Sequence, residues 1–359
     1  MKYNVIPLIP AYEPDEKLTK YVNELINAGF KKILIVNDGS SEKCSKYFKD
    51  LEEKQECIIL KHDINRGKGQ ALKTGFKYYL ENLSKEYDGI VTADSDGQHS
   101  VKDTINIGKI VEENKNEKAL ILGVRDFNKE NVPFTSKYGN KLTKIIFKLL
   151  YGKTISDTQT GLRGFTNPYL EECINIAGDR YEYETNMLIY ATRDNIKIIE
   201  TTIDTIYIEE NKSSHFNPIK DSLKIYKLLF MNFFKFSFSG LVSFAIDWIL
   251  FVIFSSYIFT FLDGTELIMV STIIARIISS VINFILNKNI VFKFKNKGNT
   301  KVVLIKYYIL CIAQMIVSGL LVSLITALLP ISKDIIKIIV DLVLFFISYK
   351  IQSNVIFKK

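Results

Sequence analysis

The sequence predicts an α/β domain with a mostly parallel sheet, followed by an all-α membrane domain of four transmembrane helices. Three observations carry this expectation. Short apolar runs alternate with longer helical stretches from the N-terminus to about residue 217, the order that gives a parallel sheet with right-handed crossovers. The apolar runs end in polar loops. From about Phe230 the chain turns apolar with few charges, so the mean hydropathy of +0.10 averages two unlike halves.

Asn4-Val5-Ile6-Pro7-Leu8-Ile9 reads as the first strand and ends in Pro10-Ala11-Tyr12-Glu13-Pro14. A helix over Asp15 to Ala28 is closed by Gly29. Lys32 to Val36 is the second strand, ending in Asn37-Asp38-Gly39-Ser40-Ser41. Ser41 to Glu53 reads as helix, Cys57 to Leu60 as the third strand, Gly67 to Leu83 as helix and Gly89 to Ala93 as the fourth strand. Ala119 to Leu122 adds a strand that ends in Gly123-Val124-Arg125.

The fourth strand leads into Ala93-Asp94-Ser95-Asp96-Gly97-Gln98-His99. In a twisted α/β sheet, ligands bind at the strands' C-terminal edge. Two carboxylates at i and i+2, followed by an amide, offer hard oxygen ligands there. They suit Mg²⁺ or Mn²⁺ that also holds substrate phosphates. A solvated acidic turn has the same bare Asp-x-Asp pattern. The other loops weigh against it: Tyr12 and Glu13, Asp38, Asn65-Arg66-Gly67-Lys68-Gly69 and Arg125 converge on the same edge. An aromatic ring stacks on a base, a carboxylate accepts from a base N–H or a ribose hydroxyl, and cations neutralise a leaving diphosphate. The chain lacks the Gly-x4-Gly-Lys-Ser/Thr and Gly-x-Gly-x-x-Gly spacings, which argues against a P-loop NTPase or an NAD enzyme.

Pro10-Ala11-Tyr12-Glu13, Val36-Asn37-Asp38-Gly39-Ser40, Asn65-Arg66-Gly67-Lys68-Gly69-x-Ala71 and Asp94-Ser95-Asp96-Gly97-Gln98-His99 resemble family 2 glycosyltransferases of the GT-A fold. Asp157-Thr158-Gln159-Thr160-Gly161-Leu162-Arg163-Gly164-Phe165 narrows the likeness to polyprenyl-phosphate glycosyltransferases similar to dolichol-phosphate mannosyltransferase. The resemblance covers roughly residues 1 to 220 and implies roles. Pro10, Tyr12, Glu13, Asp38 and Lys68 would bind the donor with Asp94, Asp96 and Gln98, the last three also holding the metal. Arg125, Lys137, Arg163 and His215 would face the acceptor phosphate, and Asp96, Arg125, Arg163 and Glu184 would be the catalytic set.

Three positions depart from the family pattern. Asn37-Asp38 stands where two acids are usual, Asn186 where an acid is common, and His215 where many members carry lysine or arginine. The Asn186 departure is compatible with a lipid-phosphate acceptor, whose oxygen is already ionised and needs no general base. An alcohol acceptor would want a carboxylate, and Glu182 or Glu184 could serve; both equally suit the acidic start of a helix. The chain lacks the Gln-x-x-Arg-Trp segment of processive synthases, and its one tryptophan is Trp248, which favours single-sugar transfer.

Net charge is +8. Many lysines flank apolar segments, as suits an anionic membrane surface, and no zinc-finger or RNA-binding signature points to nucleic acid. Cys44, Cys57, Cys173 and Cys311 show no paired spacing and read as reduced thiols. His62, His99 and His215 form no metal-ligand pattern. With no secretory signal at the start, the catalytic half is expected to stay cytosolic.

Residues 1–217 are thus expected to form the catalytic domain, 218–235 an amphipathic juxtamembrane helix and 236–359 the membrane domain. Spans are expected at about 236–261, 267–286, 307–329 and 335–351. Lysines cluster between the second and third spans and after the fourth, whereas Asp263 and Glu266 lie between the first and second. Both termini are therefore expected on the cytoplasmic face of the cell membrane. Asp247 and Arg276 lie inside apolar segments and are expected to pair, with Asn283 and Asn287 on the same side. Ala275-Arg276-x-x-Ser279-Ser280-x-x-Asn283-Phe284-x-Leu286-Asn287-x-x-x-Val291-Phe292 resembles the GtrA family of small four-helix membrane proteins.

The reading is a metal-dependent, inverting transfer of one sugar from a nucleotide-diphosphate sugar to polyprenyl phosphate (undecaprenyl or dolichyl), in a protein able to form a homo-oligomer. The alternatives are transfer to a hydroxyl of another lipid or glycan, or a lipid-sugar translocator whose transferase-like half is regulatory.

Overall fold

The computed structural model describes residues 3–127, 134–204, 218–292, 294 and 300–357. The chain divides into two compact units, Met1–Leu228 and Leu229–Lys359.

In the first unit β1 (Val5–Ala11) is buried along its whole length, as its near-continuous apolar sequence requires for a strand covered on both faces. It leads into α1 (Glu16–Ala28). Asp15 caps this helix by accepting from the Lys17 N–H, and Leu18, Tyr21, Val22 and Leu25 recur at helical spacing to form its buried stripe. Then come β2 (Ile33–Asn37), α2 (Ser45–Glu52), β3 (Cys57–Lys61), α3 (Lys68–Asn82), β4 (Gly89–Thr92), α4 (Val101–Glu113) and β5 (Ala119–Arg125). The unit continues with α5 (Phe134–Tyr151), β6 (Arg163–Thr166), α6 (Asn167–Cys173), α7 (Glu182–Arg193) and β7 (Lys197–Ile203).

The sheet has seven strands in the order β3-β2-β1-β4-β6-β5-β7. All pairings are parallel except those of β6, which runs antiparallel between β4 and β5. β1 pairs with β2 on one side and β4 on the other, with Ala11 opposite Asn37 and Leu8 opposite Thr92. The chain therefore leaves β1 and β4 at a topological switch point, where a crevice opens beyond the strand ends. The core beneath it includes Ile9, Val22, Ile35, Phe48, Val91 and Ile121.

α8 (Pro218–Ile253) starts in the first unit and continues into the second, with no break near residue 235. The second unit goes on with α9 (Gly264–Leu286), α10 (Thr300–Leu328) and α11 (Lys333–Ile351). Three helical stretches, Ile225–Ile258, Gly264–Val291 and Thr300–Leu328, are long and apolar enough to cross a membrane. α11 falls outside that set. It has 19 residues and carries charges along its length, including a Lys337–Asp341 ion pair of 3.0 Å that Ser318 joins. The second unit turns large apolar side chains outward, among them Phe238, Phe244 and Leu320, as a lipid-facing surface does.

Candidate active site

A cleft of about 270 Å³ opens where β1, β2 and β4 end. Pro10, Tyr12, Glu13, Asp38, Lys68, Asp94 and Asp96 all line it, so the structure brings most of the expected donor-side residues together. Tyr12 is 40 % exposed at this cleft.

The charged centre is a chain of four groups. Lys68, the first residue of α3, places its Nζ 2.6 Å from Asp94 Oδ1 and 3.1 Å from Glu184 Oε1. His99 Nε2 lies 3.4 Å from Asp94 Oδ2. Burial alone would raise the Asp94 carboxyl, but Lys68 and His99 outweigh it and hold the group well below the usual carboxylate range. Burial alone would likewise lower the Lys68 ammonium, and Asp94 and Glu184 hold it well above its usual value. Asp96 differs. Burial, and then the neighbouring Asp94 charge, push its carboxyl up, despite opposing contributions from His99, the Gln98 N–H and Lys68. The Gln98 N–H donates to Asp96 Oδ1 at 3.1 Å.

Asp94 can sit this deep because residue 161 is glycine. A Cβ there would come within 2.2 Å of Asp94 Oδ2, and that oxygen has little room to retreat while Lys68 and His99 hold its carboxylate. The 157–163 segment is thus the back wall of the acidic site. Thr92 Oγ1 donates to the Gly161 carbonyl at 2.9 Å and ties that wall to β4.

Asp38 is 3 % exposed and holds a loop in place. Its Oδ1 meets His62 Nδ1 at 2.7 Å and accepts from the Arg66 N–H, while Oδ2 accepts from the Gly67 N–H at 2.8 Å. Glu13 accepts from the Ser41 N–H and hydroxyl, fixing the loop after β2 against the loop after β1. Both acids shape this end of the cleft through these bonds.

Arg163, expected to face a phosphate, is placed elsewhere. It is fully buried, donating from Nε to the Thr160 carbonyl and from Nη1 to the Glu184 carbonyl, each at 2.8 Å. It braces the start of α7 and the 160 turn instead of meeting solvent. Arg125 forms a two-pronged pair with Asp157, Nε to Oδ2 at 2.6 Å and Nη2 to Oδ1 at 3.0 Å. Lys137 stands exposed on α5, outside the cleft lining, and His215 lies outside the described residues. The two carboxylates considered as bases are both committed. Glu184 is held by Lys68, and Glu182 Oε1 accepts the backbone N–H groups of Asp179 and Arg180. Sequence reasoning passed over Arg180 and Tyr181 as cleft residues, since the turn before α7 carries no recognisable spacing.

Among the described residues, no group of three or more His, Cys, Asp or Glu gathers as a self-sufficient metal site. The donor set instead fits a divalent ion that takes one or two carboxylates and completes its shell with substrate oxygens. Asp96 is the carboxylate short of positive charge, because Lys68 is spent on Asp94 and Glu184.

In the second unit Arg276 Nη2 lies 3.1 Å from Asp247 Oδ2, and Ser279 donates to Asp247 Oδ1. Asn283 and Asn287 bond each other and reach Ser239, Ser243, Tyr307 and Gln352.

Comparison with known proteins agrees with this geometry. Residues 8–174 match the glycosyl transferase family 2 model, and residues 235–357 match the GtrA/DPMS transmembrane domain. The chain is 33 % identical over 242 residues to a UDP-N-acetylglucosamine–dolichyl-phosphate N-acetylglucosaminyltransferase of Methanococcus voltae, covering 62 % of this chain and 94 % of that protein. It is 32 % identical over 235 residues to an uncharacterized protein of Methanocaldococcus jannaschii, covering 65 % and 94 %. A dolichyl-phosphate beta-glucosyltransferase of Trichomonas vaginalis is 24 % identical over 243 residues, covering 62 % and 71 %. The chain belongs to glycosyl transferase family 2: it is a glycosyltransferase fused to a GtrA/DPMS transmembrane domain.

Proposed function

We propose that this membrane glycosyltransferase moves one sugar from a uridine-diphosphate sugar to a polyprenyl phosphate, with inversion at the anomeric carbon. The observation that carries the reading is the state of its carboxylates. A hydroxyl acceptor must lose a proton during attack, and the two candidate bases are engaged, Glu184 with Lys68 and Glu182 with backbone N–H groups. A phosphate acceptor arrives ionised and asks only for placement and charge stabilisation. The relatives named as dolichyl-phosphate transferases support the same acceptor, and the name of the Methanococcus voltae relative supports a uridine donor.

In this mechanism Tyr12 stacks on the base at the end of the cleft shaped by Asp38 and Glu13. An acceptor phosphate oxygen attacks the anomeric carbon from the face opposite the diphosphate. The C–O bond to the leaving group breaks as the new one forms, and the electron pair departs on the nucleoside diphosphate. Asp96, with Asp94 and Gln98 beside it, would hold Mg²⁺ or Mn²⁺, which supplies positive charge to the departing diphosphate. Lys68 keeps Asp94 ionised and fixed. The four helices of the second unit are read as four spans, with both termini on the cytoplasmic side where nucleotide sugars are made. Purified protein in lipid nanodiscs, supplied with Mn²⁺, a short-chain polyprenyl phosphate and a panel of nucleotide sugars, is expected to yield one polyprenyl-phosphate sugar. Transfer to an alcohol acceptor with none to the phosphate would overturn the reading.

A further inference from the structure

The cleft lining holds two cations, Lys68 and Arg180, against five carboxylates. Lys68 is spent inside the protein, bridging Asp94 and Glu184. Arg180 is not. Its residue is exposed, and its guanidinium makes no hydrogen bond or ion pair with any described residue. The stem below that free end is nonetheless closely built. The Arg180 N–H donates to Glu182 Oε1, its carbonyl accepts from the Tyr183 N–H, and the Asp179 carbonyl beside it accepts from the Gln70 N–H at 2.9 Å. The Arg180 Cγ lies directly over Gly67, where an added Cβ would come within 2.5 Å of it. Gly67 also adopts φ +98°, so two independent constraints require glycine where the arginine crosses. Gly67 N–H is the group that holds Asp38 Oδ2, which places the arginine stem against the donor end of the cleft.

A fixed stem carrying an unpaired planar cation, in a cleft otherwise crowded with acids, is suited to an incoming polyanion. We propose that Arg180 is the side-chain cation that binds the diphosphate of the nucleotide sugar in the cleft it lines with Asp96. This rests on the donor class proposed above. It adds that discrimination between a nucleoside diphosphate and its nucleoside resides in a residue on the turn before α7. Arg180 is then a binding residue for the donor, distinct from the acceptor-side cations.

Calorimetric titration of the full-length protein in nanodiscs, with Mg²⁺ present, tests this with UDP and uridine as probes. In Arg180→Gln, which keeps the stem over Gly67, UDP is expected to bind about tenfold more weakly, with uridine unchanged. Arg180→Lys is expected to recover part of the loss, and the donor KM to rise while the polyprenyl phosphate KM holds. Equal UDP affinity in wild type and Arg180→Gln would overturn the proposal, as would a loss confined to the KM of polyprenyl phosphate. A parallel fall in uridine binding would reassign Arg180 to shaping the cleft and overturn it too. Failure of the wild type itself to bind UDP or GDP would remove the donor reading and the proposal with it. Binding by the wild type with no change in the variant would remove the Arg180 proposal alone.

Discussion

In the first unit the buried charges gather where β1, β2 and β4 end, and they are unevenly matched. Asp94 has Lys68 and His99, Glu184 shares Lys68, and Asp96 has no cation of its own. Nearby His99 Nδ1 and Arg163 Nη2 are buried without a hydrogen-bond partner among the described residues. In the second unit a set of buried amides and hydroxyls joins into one chain that touches all four helices, while Ser271 Oγ stays outside it without a hydrogen-bond partner among the described residues. Ser239 donates to Asn287 Oδ1, and Asn287 donates to Asn283 and Gln352. Gln352 donates to Ser348, and Ser348 to Gln314. The fully buried Asn287 has all its donors and its acceptor in use. A closed network fixes how helices meet, whereas an incompletely compensated one leaves electrostatic work for a ligand to finish. The contrast assigns chemistry to the first unit and register to the second.

The largest effect expected from breaking this contrast is at Asp96. Asp96→Ala should lower transfer by on the order of 10³-fold at fixed metal concentration, while leaving the melting temperature unchanged or slightly raised. The stability sign follows from its direction of shift. A carboxyl that folding pushes up favours the protonated form, so the ionised group at neutral pH works against folding and its removal relieves that strain. Assay of the purified variant beside a thermal melt separates the two readouts.

Lys68→Ala should do the reverse, costing stability as well as turnover. It leaves Glu184 without a cation and Asp94 with only the more distant His99, and breaking a buried pair of this kind costs about 3–5 kcal/mol. Adding Glu184→Gln should restore part of the melting temperature but not activity, because Asp94 still lacks Lys68. Activity recovered in full by the double variant would show that Lys68 serves only to hold Glu184.

How much of this was visible in the sequence depends on whether a feature is local. Asp94 and Asp96 were legible because an apolar run just before them marks a strand end, and strand ends are where such sheets bind ligands. Tyr12, Glu13 and Asp38 were legible for the same reason. Arg163 was not, because the motif gives a residue type without the direction of its side chain. β6 is a four-residue strand wedged antiparallel between two others, and that position buries the arginine. Its Arg-Gly-Phe-Thr sequence has no alternation to announce a strand. The Lys68–Glu184 pair joins elements far apart in the chain, so no spacing rule could find it. In the second unit the Asp247–Arg276 pair was legible because charges inside apolar segments need partners. α11 is less plainly legible as a span than the other three helices, because it is shorter and Lys337 and Asp341 interrupt its apolar run.

Within the second unit, Asn287→Leu should lower the melting temperature by removing partners from Ser239, Asn283 and Gln352 at once. Interhelical hydrogen bonds of this kind are worth about 1–2 kcal/mol. Donor binding in the first unit should be unaffected, measured as UDP affinity in nanodiscs. A loss of UDP affinity in this variant would join the two units functionally and blur the division of labour.

The smallest and most discriminating effect concerns pH. Asp94 is held well below the usual carboxylate range and Asp96 is raised from its ordinary value, so the pair separates as acidity rises. Asp96 takes up its proton first, at a pH where Asp94 and exposed carboxylates remain charged. Metal binding requires the ionised form, so Mg²⁺ affinity should begin to fall at a higher pH than for an ordinary aspartate site, with about one proton released per ion bound in that window. Stability should not follow the same course. The contribution from Asp94 is present above its unfolded pKa and is lost only as pH falls through its much lower folded one. Protonation of Asp96 adds stability as pH falls through its raised one. Metal affinity and the thermal melt should therefore part company on mild acidification, the first declining while the second holds or improves. Calorimetric titration with Mg²⁺ and UDP across that range, beside melts of the same samples, reads both. A joint decline would mean that the fold around the acidic site, and not the protonation of Asp96, is what acid undoes.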